Sequence, residues 1–175
     1  MKFSLATLAL LFTLSLPSPA QQRQPQPPAR NDALLDRMTG HWLLTGTIAG
    51  HQATHDVDVD WVLNHEYIRL HEISREKSPN GVPAYEAIVF LGWDDDAHEY
   101  TLLWLDTTSG SGLNSPVIGR GKLSGDQILF LFKSHEGDFH TTFAYEKSSD
   151  TWQWIMDGEE NGKLTPFARV KLTRK

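Results

Sequence analysis

The 175-residue sequence contains no cysteine. This absence excludes disulfide bonds, and it also excludes the lipid-modified cysteine that anchors bacterial lipoproteins. A folded domain made from this chain must therefore be held together by its hydrophobic core, and a chain of this length buries enough apolar surface for that.

Long hydrophobic runs are also scarce, since there is one, from Phe3 to Leu16, behind the positive charge of Lys2. At about fourteen residues it is shorter than the roughly 20 residues needed to span a membrane as a helix. Ser18-Pro19-Ala20 supplies small residues for cleavage. The pattern predicts a signal peptide over residues 1–20 and export to a bacterial periplasm or the medium. Residues 21–31 are rich in Pro and Gln and are expected to form a disordered spacer before a domain at 32–175.

The predicted domain contains fewer basic than acidic residues. Of the 16 Lys and Arg residues, Lys2, Arg23 and Arg30 precede Asp32, which leaves 13 against 22 acidic residues and a net charge of −9 with histidine neutral. An acidic surface repels nucleic-acid phosphates and anionic lipids. We therefore expect no nucleic-acid partner, and no membrane partner after signal cleavage.

The sequence lacks the common catalytic and cofactor motifs: it has no Walker loop, dinucleotide fingerprint, HExxH or Gly-x-Ser-x-Gly. Acidic residues do cluster at Asp56, Asp58 and Asp60, but alternate residues of a strand lie about 6.6 Å apart, too far for all three to share one ion. We expect them on a solvated outer face, paired to Arg69 and His71, and we expect Asp94 to Asp96 to form a turn. No metal site and no cofactor are predicted.

Helix-period segments are absent after Gly40, where the hydrophobic pattern changes to a period of two. About ten such segments follow, joined by short turns rich in Asn, Gly, Asp and Ser. The fold class predicted is all-β, an antiparallel up-and-down barrel of about ten strands, because closure removes the exposed edges of a long sheet. A two-sheet sandwich is the alternative. A short helical turn through ALLDRM, capped by Asn31 or Asp32 and stopped by Gly40, is expected before the first strand.

One hairpin fixes its own register. A turn at Asn64-His65 pairs Trp61 with Ile68 and Val57 with Glu72 on one face, and it places Asp60 opposite Arg69 on the other. The same count sends His55 inward, opposite Ser74. Since a buried carboxylate is costly, Glu72 must either lie at the open mouth of the barrel or anchor a ligand inside it.

A second hairpin, with its loop at 147–150, pairs Phe143 with Trp154 and Tyr145 with Trp152. This wall of large aromatic side chains must either fill the interior or line a cavity. The other face of the hairpin pairs His140 with Asp157, an arrangement used by general-base histidines but also common as a plain surface pair.

The stretch MTGHWLLTGTIAG, at 38–50, resembles the opening of calycin-type barrels, which include the lipocalins, fatty-acid-binding proteins and nitrobindin-like proteins, through its Gly40-His41-Trp42. With YEAIVFLGWDDDAHEYTLLWLD and FARVKLTR, the whole domain resembles a bacterial calycin-like family of unknown function. The resemblance implies that Arg169 or Arg174 packs over Trp42. Haem is not expected, because no histidine follows His140, and the Arg-x-Tyr clamp of fatty-acid-binding proteins is replaced by Arg169-Val170-Lys171.

Three functions compete on these residues. The first is the binding of a small apolar or amphipathic molecule inside the barrel, by Trp42, Trp61, Glu72, His55, Phe143, Tyr145, Trp154 and Arg169. The second is an isomerase or hydrolase that uses His55 with Glu72, or His140 with Asp157, although no catalytic residue is assigned. The third is a solid-core interaction module that uses the loop at 107–115. The sequence predicts no oligomeric state.

Overall fold

The structure is a computed structural model, and it describes residues 32–108, 118–135 and 137–175. The predicted signal peptide, the predicted spacer and most of the loop at 107–115 lie outside these ranges. No helix within the described ranges has the length and apolar character to cross a membrane.

In the described residues, ten strands and one helical turn make up the fold, as the sequence pattern predicts. The helical turn α1 covers Ala33–Asp36, and Asp32 is its N-cap. The strands are β1 (Gly40–Ile48), β2 (His51–Val62), β3 (Tyr67–Ser74), β4 (Glu86–Asp94), β5 (Glu99–Asp106), β6 (Ile118–Ser124), β7 (Gln127–Phe132), β8 (Phe139–Glu146), β9 (Thr151–Glu160) and β10 (Lys163–Arg174).

Each strand pairs antiparallel with its neighbours in the chain, and β10 pairs with β1 to close the barrel. The predicted barrel is therefore confirmed and the sandwich alternative is excluded. Alternate residues of each strand point inward, so that the apolar members of the period-two pattern form a single core.

Both predicted hairpin registers are confirmed. In the first, Trp61 pairs with Ile68, Val57 with Glu72 and His55 with Ser74. In the second, Phe143 pairs with Trp154, Tyr145 with Trp152 and His140 with Asp157. Because alternate residues face opposite sides, these registers also fix which side chains enter the barrel.

The α1 end of the barrel is filled. Leu34, Leu35 and Met38 are buried there against the core. Asp32 holds the turn in place, because its Oδ1 accepts hydrogen bonds from the backbone N–H groups of Leu34 and Leu35, and its Oδ2 accepts one from the Tyr100 hydroxyl at 2.6 Å. We call this the closed end.

Arg174 is the arginine that packs over Trp42, with its guanidinium carbon 4.2 Å from the ring centroid. It also donates hydrogen bonds to the carbonyls of Arg37 and Thr39. The final strand is thereby tied to the segment that follows α1. The helical turn ends at Asp36, with Arg37 as its C-cap, so Gly40 begins β1 and is not the residue that stops the turn.

On the outer face, the predicted side-chain pair of Asp58 with His71 is wrong although its backbone register is right. Asp60 bonds Arg69, as expected, but Asp58 bonds His41 of β1 at 2.6 Å, and His71 bonds Glu86 of β4 at 2.7 Å. An outward side chain has a neighbouring strand on each side and can reach either one, so a register with one strand does not decide its partner.

The same correction applies to His140. Its Nε2 lies 2.7 Å from Oε2 of Glu159, while Asp157 accepts from Arg169 at 2.5 Å. Arg169 reaches Asp157 because β10 flanks β9 on the side opposite β8. His140 and Asp157 are therefore not the paired base and orienting acid of the enzyme hypothesis.

Candidate ligand-binding cavity

A cavity of about 690 Å³ occupies the barrel end opposite α1. Its walls come from β1, β2, β3, β5 and β7 to β10 at this side, together with adjoining turn residues, among them Tyr85 just before β4. We call this the open end. β1 starts at the closed end, and successive strands run in opposite directions. The odd-numbered strands therefore end at the open end, and the even-numbered strands begin there.

One side of the cavity is apolar. Phe132 of β7, Phe139 of β8, Met156 of β9 and Phe167 of β10 supply it. Phe139 makes edge contacts with both Phe132 and Phe167, at centroid distances of 6.4 and 5.5 Å. These rings form a continuous wall suited to an apolar group.

The opposite side carries a buried polar pair. His55 of β2 and Glu72 of β3 both face inward, and His55 Nδ1 lies 2.5 Å from Glu72 Oε1. The two residues are 6% and 2% exposed. Neighbouring strands place them here, since Glu72 pairs with Val57, two residues from His55 on the same face. The predicted inward direction of both side chains is confirmed, and they lie towards the open end.

Each member of the pair keeps one polar atom without a partner among the described residues: Nε2 of His55 and Oε2 of Glu72. Within the described part of the chain, Trp152 Nε1 is the one fully buried side-chain polar atom without a hydrogen bond. The two atoms of the His55–Glu72 pair are therefore not fully buried. Since both residues line the cavity, the cavity is the route by which these two atoms meet solvent.

Beside this pair lies a second polar group on β5. Asp106 Oδ2 accepts a hydrogen bond from Trp104 Nε1 at 3.0 Å, and the Tyr85 hydroxyl lies 3.5 Å from the same oxygen. The Tyr85 ring stacks on His55 with centroids 5.7 Å apart. Burial, together with the nearby carboxylates of Glu72 and Asp106, raises the pKa of the Tyr85 phenol well above its ordinary value.

The arginine and lysine side chains at the mouth of the cavity, which is its opening at the open end, already form ion pairs with carboxylates. Arg75 bonds Asp56 at 2.7 Å, and Lys133 forms an ion pair with Asp138. The hydrogen bond to Asp56 raises the pKa of Arg75, and the one to Asp138 raises the pKa of Lys133. Both cations are therefore balanced by carboxylates that do not line the cavity.

Of the eight residues predicted to bind ligand, the structure brings two, His55 and Glu72, to the cavity wall. The other six lie elsewhere. Trp42, Trp61 and Tyr145 are at the closed end, where they contact Met38, Asp36 and Arg37 respectively. Phe143 and Trp154 are buried and stacked 4.6 Å apart in the core, and Arg169 bonds Asp157 and two backbone carbonyls.

Sequence reasoning missed Tyr85, Trp104 and Asp106, together with the phenylalanine wall. The period-two pattern does contain the signal for the first three. Tyr85 stands two residues before the inward Ala87, and Trp104 and Asp106 continue the inward series of Leu102. Assigning an inward and an outward face to these two segments would have found them, but the pattern does not show at which end the barrel is hollow.

In the described ranges, no three His, Asp or Glu residues come together as a group that could hold a metal ion. The side chains at the cavity instead provide hydrogen-bond acceptors on one wall and aromatic rings on the other.

The chain matches no family model and no curated protein sequence. Among solved structures it is similar to the S-type phycobiliprotein lyase CPES from Guillardia theta, with 12% sequence identity and a TM-score of 0.50. The match covers 81% of this chain and 90% of the lyase chain. At this identity the similarity concerns the fold alone.

Proposed function

We propose that this protein binds a small amphipathic molecule in the cavity at its open end. The observation that carries the proposal is a cavity of about 690 Å³ with an aromatic wall on one side and a buried polar pair on the other. This volume lies within the range of roughly 300–1,000 Å³ that is typical of small-molecule sites. The ligand's apolar body would lie against Phe132, Phe139 and Phe167, and its polar group would face His55 and Glu72.

A fluorescent apolar probe, N-phenylnaphthylamine, tests the cavity directly. We expect its emission to rise on adding the protein, and an Ala53→Trp variant to abolish the rise, because Ala53 lines the cavity and an indole there would occupy it. Ala144→Trp is the matched control, since Ala144 precedes the inward Tyr145 and follows the inward Phe143, on the outer face of β8.

A screen of lipids and metabolites by thermal unfolding then narrows the ligand class, because a ligand that binds the folded state raises the melting temperature. Biliverdin belongs in the screen because the structurally similar barrel is that of a phycobiliprotein lyase. If the probe gives no enhancement and no compound shifts the melting temperature, the binding proposal is wrong.

A second candidate function is proton-transfer catalysis, as in an isomerase or hydrolase. It is favoured by one observation, the 2.5 Å contact between His55 Nδ1 and Glu72 Oε1 at a cavity wall, which is the orientation a general-base histidine needs. Hydrolysis of nitrophenyl esters that is lost in His55→Gln and retained in His140→Gln would support it. Equal rates in the wild type and in His55→Gln would reject it.

We also propose that the protein acts outside the cytoplasm, on the strength of the signal-peptide pattern at 1–20. Fractionation of bacterial cells expressing the full chain, with N-terminal sequencing of the product, tests this. A mature protein beginning near Gln21 is expected, and an uncleaved cytoplasmic product would contradict the proposal.

A further inference from the structure

We propose that the cavity selects a ligand with a primary ammonium group on an apolar body. The inference rests on the proposed function and specifies its ligand class. It is carried by the cavity-facing atoms of His55 and Glu72, the carboxylate of Asp106 and the neutralised cations at the mouth.

For a neutral His55 beside an ionised Glu72, the two cavity-facing atoms of the buried pair are both acceptors. In the neutral tautomer that satisfies the 2.5 Å contact, His55 donates its Nδ1–H to Glu72 Oε1, and its Nε2 is then an acceptor. Glu72 Oε2 is an acceptor as well. A head group that satisfies both atoms must therefore bring at least two hydrogen-bond donors, and an ammonium group brings three.

The charge of the cavity favours a cation. Glu72 and Asp106 place two carboxylates on the polar side, close enough to Tyr85 for both to raise the pKa of its phenol. The cations at the mouth, Arg75 and Lys133, are paired with Asp56 and Asp138. A cationic head group would thus enter a low-dielectric space whose polar side carries two carboxylates.

The same features exclude an anionic ligand. A carboxylate or phosphate head group would face Glu72 and Asp106 with no unpaired arginine or lysine among the described residues that line the cavity. The domain's net charge of −9 adds a long-range repulsion for anions and an attraction for cations. The Trp104 and Tyr85 rings on the polar side can further stabilise an ammonium group through cation–π contact.

Three compounds with one body and different head groups test the proposal: phenylbutylamine, phenylbutanol and phenylbutyrate, measured by isothermal titration calorimetry. We expect the amine to bind at least about ten-fold more tightly than the alcohol, as a charge-assisted hydrogen bond in a buried site provides. The acid should show no measurable binding.

Glu72→Gln keeps the shape of the side chain and removes its charge, so it should weaken amine binding about ten-fold and weaken alcohol binding much less, because the alcohol carries no charge. Glu86→Gln is the control with the same charge change, because Glu86 is on β4 outside the cavity and bonds His71. Equal loss of amine affinity in both variants would point to long-range charge alone and overturn the assignment to the cavity.

Because the three-compound ranking in the wild-type protein needs no variant, the proposal remains testable even if Glu72→Gln fails to fold. Alcohol or acid binding as tight as amine binding would overturn it. If none of the three compounds binds while N-phenylnaphthylamine does, the ammonium proposal is wrong and the binding proposal stands. If N-phenylnaphthylamine also fails, both are wrong.

Discussion

Tyr85 shows how the cavity changes the chemistry of a single side chain. Its ring stacks on His55, and its hydroxyl lies near Asp106 in a half-buried position at the cavity wall. Ionising the phenol there would place a third negative charge beside Glu72 and Asp106. Desolvation and these two carboxylates act in the same direction, so the phenol is held neutral.

We therefore expect Tyr85 to stay un-ionised in the folded protein at pH values above 10.0, the ordinary pKa of its phenol. The raised pKa contributes stability that is present below the ordinary value and is lost as the pH rises above it. In an absorbance titration, Tyr85→Phe should not change the phenolate signal of the folded state, and it should remove one tyrosine from the signal after alkaline unfolding. A smaller phenolate signal in the folded variant would contradict this.

Asp56 represents the outer face, where charges pair across strands. Its Oδ1 lies 2.7 Å from Arg75 Nη2 and 2.6 Å from Lys175 Nζ. The hydrogen bond from Arg75, followed by that from Lys175, lowers the pKa of Asp56 far below its ordinary value of 3.8. The carboxylate therefore links β2 to the loop after β3 and to the chain end after β10.

Because the folded pKa of Asp56 is depressed, its stabilising effect is present above pH 3.8 and is lost as the pH falls below that value. We expect Asp56→Asn to lower the free energy of unfolding by about 0.5 kcal/mol at pH 7, since the pair is exposed to screening by solvent. Urea unfolding should show this difference shrinking at pH 3 and in added salt. A difference that grows under acid conditions would contradict the assignment.

At the scale of the elements, closure of the barrel depends on how closely β1 approaches β10. Gly46 pairs with Val170 and has a φ of +148°. A Cβ at this position would lie 2.2 Å from the carbonyl oxygen of Arg169 and 2.7 Å from the Cα of Val170. Both are backbone atoms, so a side chain at position 46 would push the two strands apart.

Gly46→Ala is accordingly expected to lower the free energy of unfolding by about 2 kcal/mol or more, in the range of strained backbone positions. Gly158→Ala, on β9, is the matched control, because a Cβ there meets nothing within 4 Å. Thermal unfolding of the two variants measures the contrast. Equal melting temperatures would show that β1 and β10 can separate without cost.

The strands and their pairing were predictable from the sequence because they depend on residues close together in the chain. Inward apolar residues alternate along each strand, and the turn at Asn64-His65 sets the register that pairs Trp61 with Ile68. The partners of Asp58 and His140 were not predictable, because each side chain bonds a residue that the two-strand register did not place opposite it. The contribution of Trp104 and Phe139 to one cavity was also hidden, since it depends on where the closed barrel is left unfilled.

At the scale of the whole molecule, the two ends of the barrel differ in how they are filled. The closed end is filled by α1, Met38 and Trp42, while the open end keeps a cavity between polar and aromatic walls. Phe143 and Trp154 form the layer between them, buried and stacked below Trp104. Stability and binding should therefore be separable by position along the barrel axis.

Two phenylalanines test this separation. Phe143 is fully buried, so Phe143→Ala should cost about 3–5 kcal/mol of unfolding free energy through lost burial and a new cavity. Phe167 is 42% exposed and lines the cavity, so Phe167→Ala should cost less than about 1 kcal/mol while weakening N-phenylnaphthylamine binding. Chemical denaturation and probe titration on both variants give the two quantities. If Phe167→Ala bound the probe as tightly as the wild type, the proposed separation of binding from stability along the barrel axis would be wrong, because Phe167 would then contribute nothing to binding.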